Sequence, residues 1–441
     1  MTISSTEEEL DEPLDEDEAA YDELLAIEEE TRRRRRRVRT IVAVVLAAFV
    51  LTRGIAGYVA DHPEVYGSNR ADGTGDVQRY DELTWEMRHE DLSPYGEALR
   101  MEYPPGAIPI MMVPRYIRLV DYRTEFVVFM VFFDALGLYG LVRIARRTGS
   151  WWGPATWFLL VPALGPVTYT RLDMVVAVLL VWTLERALAS RWGHVGLLIG
   201  IGAAVKLVPV LLLPLLFFVA PRDRRRVFVG AFAGVIVLAV VPFVNYLPGM
   251  YESVIGYHTK RGVQAESLWG AGLLAARFLW DYPVVIVSSH RAWDAVAPTS
   301  AQLKSISNDL SLAVVFGAVV LAARGRVGDL RRASLLAFGT MSLLVGVGRV
   351  YSPQYVMWLI GLGAVAISMA PRRAAPAVAV LAVTTVLAHL EFPVWFWDAL
   401  FYQKGGAIID LCVRDVLTVA IGVMALWAAT RTSKETIVLD S

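Results

Sequence analysis

The sequence predicts an all-α polytopic membrane protein with about 12 transmembrane helices and both termini in the cytoplasm. Of its 441 residues, 56% are hydrophobic, and the mean hydropathy is +0.48, which exceeds the apolar content of ordinary soluble domains. Apolar runs of roughly 20 residues, the length that crosses a bilayer as a helix, recur along the chain. Arginines gather in alternate connections between these runs, so the positive-inside rule assigns a direction to each run.

Residues 1–39 are predicted to form a disordered acidic cytoplasmic tail that ends in an arginine run. Residues 7–30 are rich in Glu and Asp and poor in aromatic residues, a composition that disfavours a packed core. Arginines occupy all of 32–37 and also position 39, directly before the apolar stretch 40–60. This run therefore predicts a topology determinant and phospholipid anchor, not a nucleic-acid site.

A membrane domain is predicted over 40–430, followed by a cytoplasmic tail at 431–441. The first span, 40–60, is too long and lacks the small-residue cleavage site of a removed signal peptide. An external loop at 61–123 follows it. Within this loop, 104–119 is short and broken by prolines, which predicts a juxtamembrane or re-entrant helix; a full crossing is the alternative. The next spans are 125–142 inward, 152–169 outward and 174–189 inward.

The stretch 195–219 is predicted to be two short helices rather than one span. A single helix would leave the arginines of 222–226 outside, against the positive-inside rule. Gly-rich residues 196–202, then Lys206 and Pro209, indicate a break with Lys206 near the outer turn. Irregular backbone at such depth is tolerated where it lines a protein cavity. The remaining spans are 227–245, 309–323, 333–348, 355–370, 374–391 and 408–429, with 246–308 as a second external segment.

Neither a disulfide nor a metal site is predicted. Cys412 is the only cysteine, so an intrachain disulfide is excluded. The six histidines are scattered without the spacing of metal ligands. We therefore expect neither a metal nor another cofactor.

Ionisable residues at membrane depth are costly, and those of this chain collect at the predicted outer ends of the spans. Asp134, in the middle of a predicted span, is the exception; a buried structural carboxylate and a catalytic one are both open for it. The outer-end candidates are Asp76, Arg171, Asp173, Lys206, Arg261, Glu266, Arg349 and Arg414.

Two external segments carry residues suited to binding a phosphorylated sugar. In 257–267, Arg261 could bind a phosphate with two parallel hydrogen bonds, and Gln264 and Glu266 could bind sugar hydroxyls. Arg349 and Gln354 lie at a later outer turn. The alternative is a set of ordinary solvated loop charges, with Tyr355 in the interfacial aromatic belt.

With these residues in view, the chain resembles glycosyltransferase family 87. Members of that family are polytopic enzymes of the glycosyltransferase C superfamily that use polyprenol-phosphate sugars. The resemblance extends over residues 76 to 355, and each matching piece is short. In chain order the pieces are Asp76 with Tyr80, Pro94-Tyr95, Tyr103-Pro104-Pro105, Arg171-Leu172-Asp173, Lys206-Leu207-Val208-Pro209, Arg261-Gly262-Val263-Gln264-Ala265-Glu266-Ser267 and Ser352-Pro353-Gln354-Tyr355.

The resemblance implies a glycosyltransferase C type bundle whose active site faces away from the cytoplasm. It implies that Asp76, in the first external loop, is the catalytic base, in preference to its neighbours Asp72, Asp81 and Glu82. His258 is the candidate for an active-site histidine. Other substrate-binding candidates are Tyr80, Tyr103, Arg171, Asp173, Gln264, Glu266, Gln354 and Tyr355.

The chemistry expected is transfer of a sugar, mannose by the resemblance, from a polyprenyl-phosphate donor to an envelope glycolipid or glycan. Asp76 would deprotonate the acceptor hydroxyl, and Arg261, Arg349 and Lys206 would stabilise the departing phosphate. Direct displacement predicts inversion at the anomeric carbon.

Three alternatives stay open. One is an arabinofuranosyl or other sugar transferase. The second is a secondary transporter, which predicts internal repeats and charges near the bilayer midplane. The third is a scaffold of an envelope-synthesis complex that uses the acidic tail as its contact arm.

Overall fold

The computed structural model describes residues 16–66, 75–90, 92–220, 222–236, 249–325 and 329–431. The chain divides into two units, residues 1–54 and residues 55–441. In the first unit, residues 16–54 are helical and belong to α1 (Glu16–Asp61). Residues 16–39 of the predicted disordered tail are thus helical in the structure, residues 1–15 lie outside the described residues, and the disorder of the tail stays a prediction. Glu, Arg, Leu and Ala are strong helix formers, and this local preference competes with the disorder that high charge content indicates.

The second unit is mostly helical. The helices of its first half are α2 (Gly75–His89), α3 (Ala107–Ile117), α4 (Tyr122–Thr148), α5 (Trp152–Ala163), α6 (Asp173–Leu188), α7 (Trp192–Val205), α8 (Leu212–Val219) and α9 (Arg224–Val235). Those of its second half are α10 (Tyr257–Lys260), α11 (Leu268–Trp280), α12 (Ser300–Ala323), α13 (Leu330–Val347), α14 (Val356–Met369), α15 (Pro371–His389), α16 (Phe396–Leu400) and α17 (Gly405–Thr430).

Many of these helices have the composition of membrane segments. Among the described residues, five are long and apolar enough to cross a bilayer: Ala43–Asp61, Tyr122–Thr148, Ser300–Ala323, Leu330–Val347 and Pro371–Leu400. Shorter apolar helices occupy Ala107–Ile117, Trp192–Val205, Val208–Val219, Leu268–Trp280 and Pro353–Met369. A helical multi-pass membrane protein is thereby confirmed, while the number of about 12 crossings stays a prediction.

The chain is not entirely α-helical. Strands β1 (Val285–Ser289) and β2 (Ala292–Val296) form an antiparallel hairpin inside the predicted external segment 246–308. The two turn residues, His290 and Arg291, have φ values of 50° and 55°, the positive sign that a tight two-residue hairpin turn requires. The β-branched run 284–287 favours a strand locally. It is much shorter than a transmembrane span, so the pattern of long apolar runs gives no sign of it.

Helix α14 lies at the centre of the second unit. Every residue from Val356 to Met369 is buried, and the helix packs against α4, α5, α6, α13 and α15. A helix that is apolar on all sides is stable when protein surrounds it. The turn that precedes α14, residues 348–355, is held against this core and forms part of the cavity described below.

The predicted break near Lys206 is confirmed. Helix α7 ends at Val205, the backbone of Lys206 is extended, and a 3₁₀ turn at Val208–Leu211 precedes α8. Proline at the start of that turn has no backbone N–H for a helical bond, so the helix cannot continue. The predicted short helix within 104–119 is α3, whose 11 residues are too few for a full crossing.

Candidate active site

A cavity of about 870 Å³ lies in the second unit. Twelve of the candidate residues from the sequence line it: Asp76, Tyr80, Tyr103, Arg171, Lys206, His258, Arg261, Gln264, Glu266, Arg349, Gln354 and Tyr355. The other two outer-end candidates, Asp173 and Arg414, are buried outside the lining, and Asp173 accepts a hydrogen bond from Lys206 Nζ at 2.8 Å. Residues separated by almost 280 positions therefore meet at one site.

Asp76 lies in the first turn of α2, so this part of the predicted external loop is helical. Val77, Tyr80 and Leu83 each expose only 1% of their surface and anchor this helix in the core. The Asp76 side chain is 40% exposed and forms an ion pair with Arg171. This ion pair orients the Asp76 carboxylate.

The Tyr-Pro-Pro segment fixes the wall between Asp76 and Lys206. The hydroxyl groups of Tyr80 and Tyr103 are 3.2 Å apart, and the Tyr95 hydroxyl donates to the Tyr103 carbonyl at 3.0 Å. Farther along, the amide of Gly106 donates to the carbonyl of Ala204 at 2.7 Å. A Cβ at Gly106 would lie 2.6 Å from that carbonyl oxygen, so this close approach to the end of α7 requires glycine.

Lys206 is held by a carboxylate and by aromatic rings. Its ammonium group pairs with Asp173 and lies 5.0 Å from the ring centres of both Tyr355 and Trp358. The Tyr103 ring centre is 6.0 Å away. Cation–π attraction favours a positive charge in this position, so Lys206 keeps a fixed place beside the cavity.

Residues 261–267 continue the hairpin sheet. Ala295 donates to the Val263 carbonyl at 2.8 Å, and Ala265 donates to the Trp293 carbonyl at 2.7 Å. On the opposite side, the backbone N–H of Gln264 donates to the backbone carbonyl of Arg349 at 2.9 Å. These bonds hold the segment rigidly between β2 and the 348–355 turn.

Arg261 and Arg349 differ in their partners. Arg261 is 7% exposed, and its Nε has no hydrogen-bond partner among the described residues. Arg349 donates to the His258 carbonyl at 2.8 Å, to the Thr259 carbonyl at 3.4 Å and to the Asn308 side chain. Of the two guanidinium groups, that of Arg261 has more donor capacity left for a bound anion.

Burial also shifts the pKa values of titratable groups in the site, among them Glu266 and His258. It raises the pKa of the buried Glu266 carboxyl, while nearby arginines and a hydrogen bond from Gln264 act in the opposite direction. Loss of hydration, followed by the charges of Arg261, Lys206 and Arg349, lowers the pKa of His258 from 6.5 to about 4. His258 is therefore a neutral imidazole at neutral pH.

The low pKa of His258 predicts how fold stability and the reaction rate depend on pH. The unfolded chain binds a proton at this histidine near pH 6.5, whereas the folded protein does so only near pH 4. Protonation therefore lowers the stability of the fold as the pH decreases through that interval. Between about pH 5 and 8, His258 should not contribute a limb to the pH–rate profile. Rates of the wild type and His258→Gln measured over that range should give the same apparent pKa values; an acid limb lost in the variant contradicts this.

The sequence interpretation missed several residues that line the cavity. Arg291 and Trp293 belong to the unpredicted hairpin, and Arg291 forms an ion pair of 3.2 Å with Glu102. Glu102 directly precedes the Tyr103-Pro104-Pro105 motif, so its position in the sequence could have identified it as a candidate. Phe392 precedes α16, Phe396 and Trp397 are its first two residues, and none of the three carries a charge that would mark it in the sequence.

Asp134, for which two interpretations were open, lies apart from the cavity lining. It is fully buried and accepts hydrogen bonds of 2.7 Å from the indole N–H of Trp157 and from the hydroxyl of Tyr169. These bonds support the structural interpretation.

A helical multi-pass protein whose cavity holds an oriented carboxylate beside several cations has the layout of a membrane enzyme for an anionic substrate. The model of glycosyltransferase family 87 matches residues 102–353, and the chain belongs to this family. It is therefore a membrane glycosyltransferase with a sugar donor and an acceptor, which favours the enzyme over the transporter and scaffold alternatives. No curated protein matches the chain. Five candidates lie outside the matched residues: Asp76, Tyr80, Gln354, Tyr355 and Arg414.

Proposed function

We propose that the protein transfers a sugar, mannose, from a polyprenyl-phosphate donor to an envelope glycolipid or glycan on the extracytoplasmic face of the cell membrane. The observation that carries this proposal is the meeting of Asp76 with Arg261, Arg349 and Lys206 around one cavity. A carboxylate can take the acceptor proton, and the cations match the negative charge of a phosphate leaving group.

The apolar part of the cavity lining supports a lipid-linked donor. Leu207, Val208 and Leu211 contribute from the 3₁₀ turn before α8, and Met341 and Leu344 contribute from α13. Helices α8, α12 and α13 pack against one another, and α12 and α13 are long enough to cross a bilayer. An aliphatic surface between such helices suits a polyprenyl chain.

In the proposed reaction, the acceptor hydroxyl loses its proton to Asp76 as its oxygen attacks the anomeric carbon of the donor sugar. The bond from that carbon to the phosphate oxygen breaks, and the phosphate leaves with the electron pair. A single displacement of this kind inverts the anomeric configuration. Arg171 positions Asp76 through their ion pair.

The other candidates have roles around this centre. Arg261 would contact the phosphate directly, and Arg349 and Lys206 would add positive charge from fixed positions. Tyr80, Tyr103, His258, Gln354 and Tyr355 would border the sugar. Gln264 and Glu266 would bind sugar hydroxyls, and Asp173 would act by holding Lys206.

The test is a transfer assay with purified protein, radiolabelled polyprenyl-phosphate sugars and a membrane-lipid extract. Mannose transfer from the mannosyl donor, without transfer from the arabinofuranosyl donor, supports the proposal. The opposite selectivity replaces mannose by a pentose. Absence of transfer from every polyprenyl-phosphate sugar, in protein of normal thermal stability, overturns it.

Arg261→Gln is expected to reduce kcat/KM for the donor by about 100-fold, because it removes a cation from the developing phosphate charge. Arg261→Lys keeps the charge but loses the forked geometry, and should retain an intermediate activity. Steady-state rates over a range of donor concentrations measure the effect.

The matched control is Arg226→Gln. Arg226 is 76% exposed and pairs with Asp223 at 2.9 Å, away from the cavity lining. Donor kinetics should not change in that variant. If Arg261→Gln has the donor kinetics of the wild type, Arg261 does not bind the donor phosphate.

A further inference from the structure

One aromatic surface of the cavity has no role in the donor chemistry proposed above. Trp293 of β2 and Trp397 of α16 both line the cavity, together with Phe392 and Phe396. The two indole rings meet edge to face, with ring centres 5.8 Å apart and planes at 76°. Both tryptophans are half-buried, so each has a packed part and a part open to the cavity.

The hairpin holds Trp293 firmly beside the proposed phosphate site. Its carbonyl accepts from the amide of Ala265, so β2 is hydrogen-bonded to the segment that carries Arg261. The Phe401 ring packs against Trp293 with centres 5.0 Å apart. An aromatic ring fixed in the wall of the cavity can orient a second substrate.

The tip of the hairpin is also fixed. His290 and Arg291 both have positive φ, a conformation that costs non-glycine residues energy and persists where surrounding contacts impose it. Such contacts are present, because the Tyr257 hydroxyl donates to the His290 carbonyl and Arg291 pairs with Glu102. The turn therefore holds Arg291, paired with Glu102, at the cavity and two positions before Trp293.

The side-chain oxygen of Gln264, near this surface, has no hydrogen-bond donor among the described residues. Gln264 is 1% exposed and lines the cavity. Its side-chain nitrogen donates to Ser352 at 3.0 Å and to Glu266, while its Oε1 has no hydrogen-bond partner within the described ranges. An unpartnered buried carbonyl oxygen is costly, and a bound hydroxyl would satisfy it.

We propose that Trp293, Trp397, the Arg291–Glu102 pair and Gln264 form the acceptor subsite, and that the acceptor is a carbohydrate. A sugar ring presents an apolar C–H face to an indole and a rim of hydroxyls to charged and amide groups. A lipid chain has no hydroxyls for the polar groups, and a serine or threonine hydroxyl has no ring face for the indoles. This inference rests on the proposed function for its reaction, but the binding of a sugar here can be measured without turnover.

The binding test is saturation-transfer NMR on the full-length protein, with methyl α-mannopyranoside and methyl β-glucopyranoside as probes. Sorbitol, which has similar hydroxyls but no ring face, is the ligand control. Both glycosides should receive saturation from the wild type, and Trp293→Ala should weaken their binding about tenfold. Trp293→Phe should keep part of the binding because it keeps an aromatic face.

Trp395→Ala is the matched protein control. Like Trp293 and Trp397, Trp395 is half-buried and packs against the apolar cluster that includes Leu274, Phe396 and Leu400, but it does not line the cavity. It should bind both glycosides as the wild type does. Equal glycoside binding in Trp293→Ala and wild type overturns the proposal, as does an equal signal from sorbitol. If Trp293→Ala lowers the thermal midpoint more than Trp395→Ala does, glycoside binding is compared in Trp293→Phe and Trp397→Phe instead. Wild-type binding in both of these variants overturns the proposal.

Transfer kinetics separate this inference from the proposed function. Trp293→Ala should raise KM for the sugar acceptor and leave KM for the polyprenyl-phosphate donor unchanged. An equal rise in both KM values contradicts a separate acceptor subsite. If no polyprenyl-phosphate sugar is used at all but glycoside binding still depends on Trp293, the donor proposal fails and the sugar subsite stands.

Discussion

Asp76→Asn is expected to reduce kcat by about 10²–10⁴-fold, the contribution that a positioned general base makes. The amide retains the size of the side chain but cannot accept the proton of the acceptor hydroxyl. Protein yield, thermal stability and donor binding should stay close to the wild type, because Asp76 is 40% exposed and packs against little of the core. Single-turnover rates with saturating donor and acceptor provide the measurement.

Asp81→Asn is the matched control for this variant. Asp81 lies in the same helix and also pairs with an arginine, Arg115, but it does not line the cavity. Its substitution should leave kcat unchanged. Asp76→Glu keeps a carboxylate displaced by one methylene and should retain partial activity.

Glu102 provides the discriminating comparison. It is another carboxylate at the cavity, and it lies within the residues that match the family. Near-normal turnover in Asp76→Asn together with loss of activity in Glu102→Gln would transfer the base role to Glu102. Loss in Asp76→Asn, with acceptor KM alone raised in Glu102→Gln, fits the assignments proposed here.

The sequence anticipates the polar residues of the site better than it anticipates their contacts. Charge at membrane depth is costly, so residues such as Arg171, Lys206 and Arg261 stand out from their apolar surroundings without any structure. The break at Lys206 was also predictable, because Pro209 and the arginine cluster at 222–226 follow it. These signals are local, and a single sequence carries them.

Long-range pairs and aromatic surfaces are not visible in this way. Arg291 and Glu102 are 189 positions apart, and neither residue alone indicates the other. Trp293 looks like any external tryptophan until the hairpin brings it next to Ala265. The hairpin itself was missed because a five-residue strand has a far weaker periodic signal than a span.

Arg414→Met is expected to destabilise the fold by about 3–5 kcal/mol, because it leaves buried carboxylates without their cation. Arg414 is completely buried in α17. It pairs with Glu391 and with Asp415, whose Oδ1 accepts bonds of 2.9 Å from Nε and 2.6 Å from one terminal nitrogen. Its guanidinium also stacks over the Tyr351 ring at 4.0 Å from the centre. The thermal midpoint in detergent, followed by size-exclusion recovery, measures the loss.

Two further variants test the cause of that loss. Arg226→Met removes an exposed arginine from an ion pair and should change the midpoint little, as exposed pairs contribute little. Arg414→Met combined with Glu391→Gln and Asp415→Asn removes the uncompensated charge and should recover part of the stability. If the triple variant is no more stable than Arg414→Met, lost packing rather than unpaired charge explains the effect.

Arg414 also connects this stability to the site. The same guanidinium donates to the backbone carbonyl of Glu266, in the segment that carries Arg261 and Gln264. Arg414→Lys preserves the charge but lacks the planar fork that serves two carboxylates and a carbonyl at once. We therefore expect Arg414→Lys to be more stable than Arg414→Met yet to show a raised donor KM, because the 261–267 segment loses one of its fixed points. A lysine variant with wild-type donor KM would show that β2 and the Arg349 carbonyl suffice to hold that segment, and would confine Arg414 to the stability of the fold.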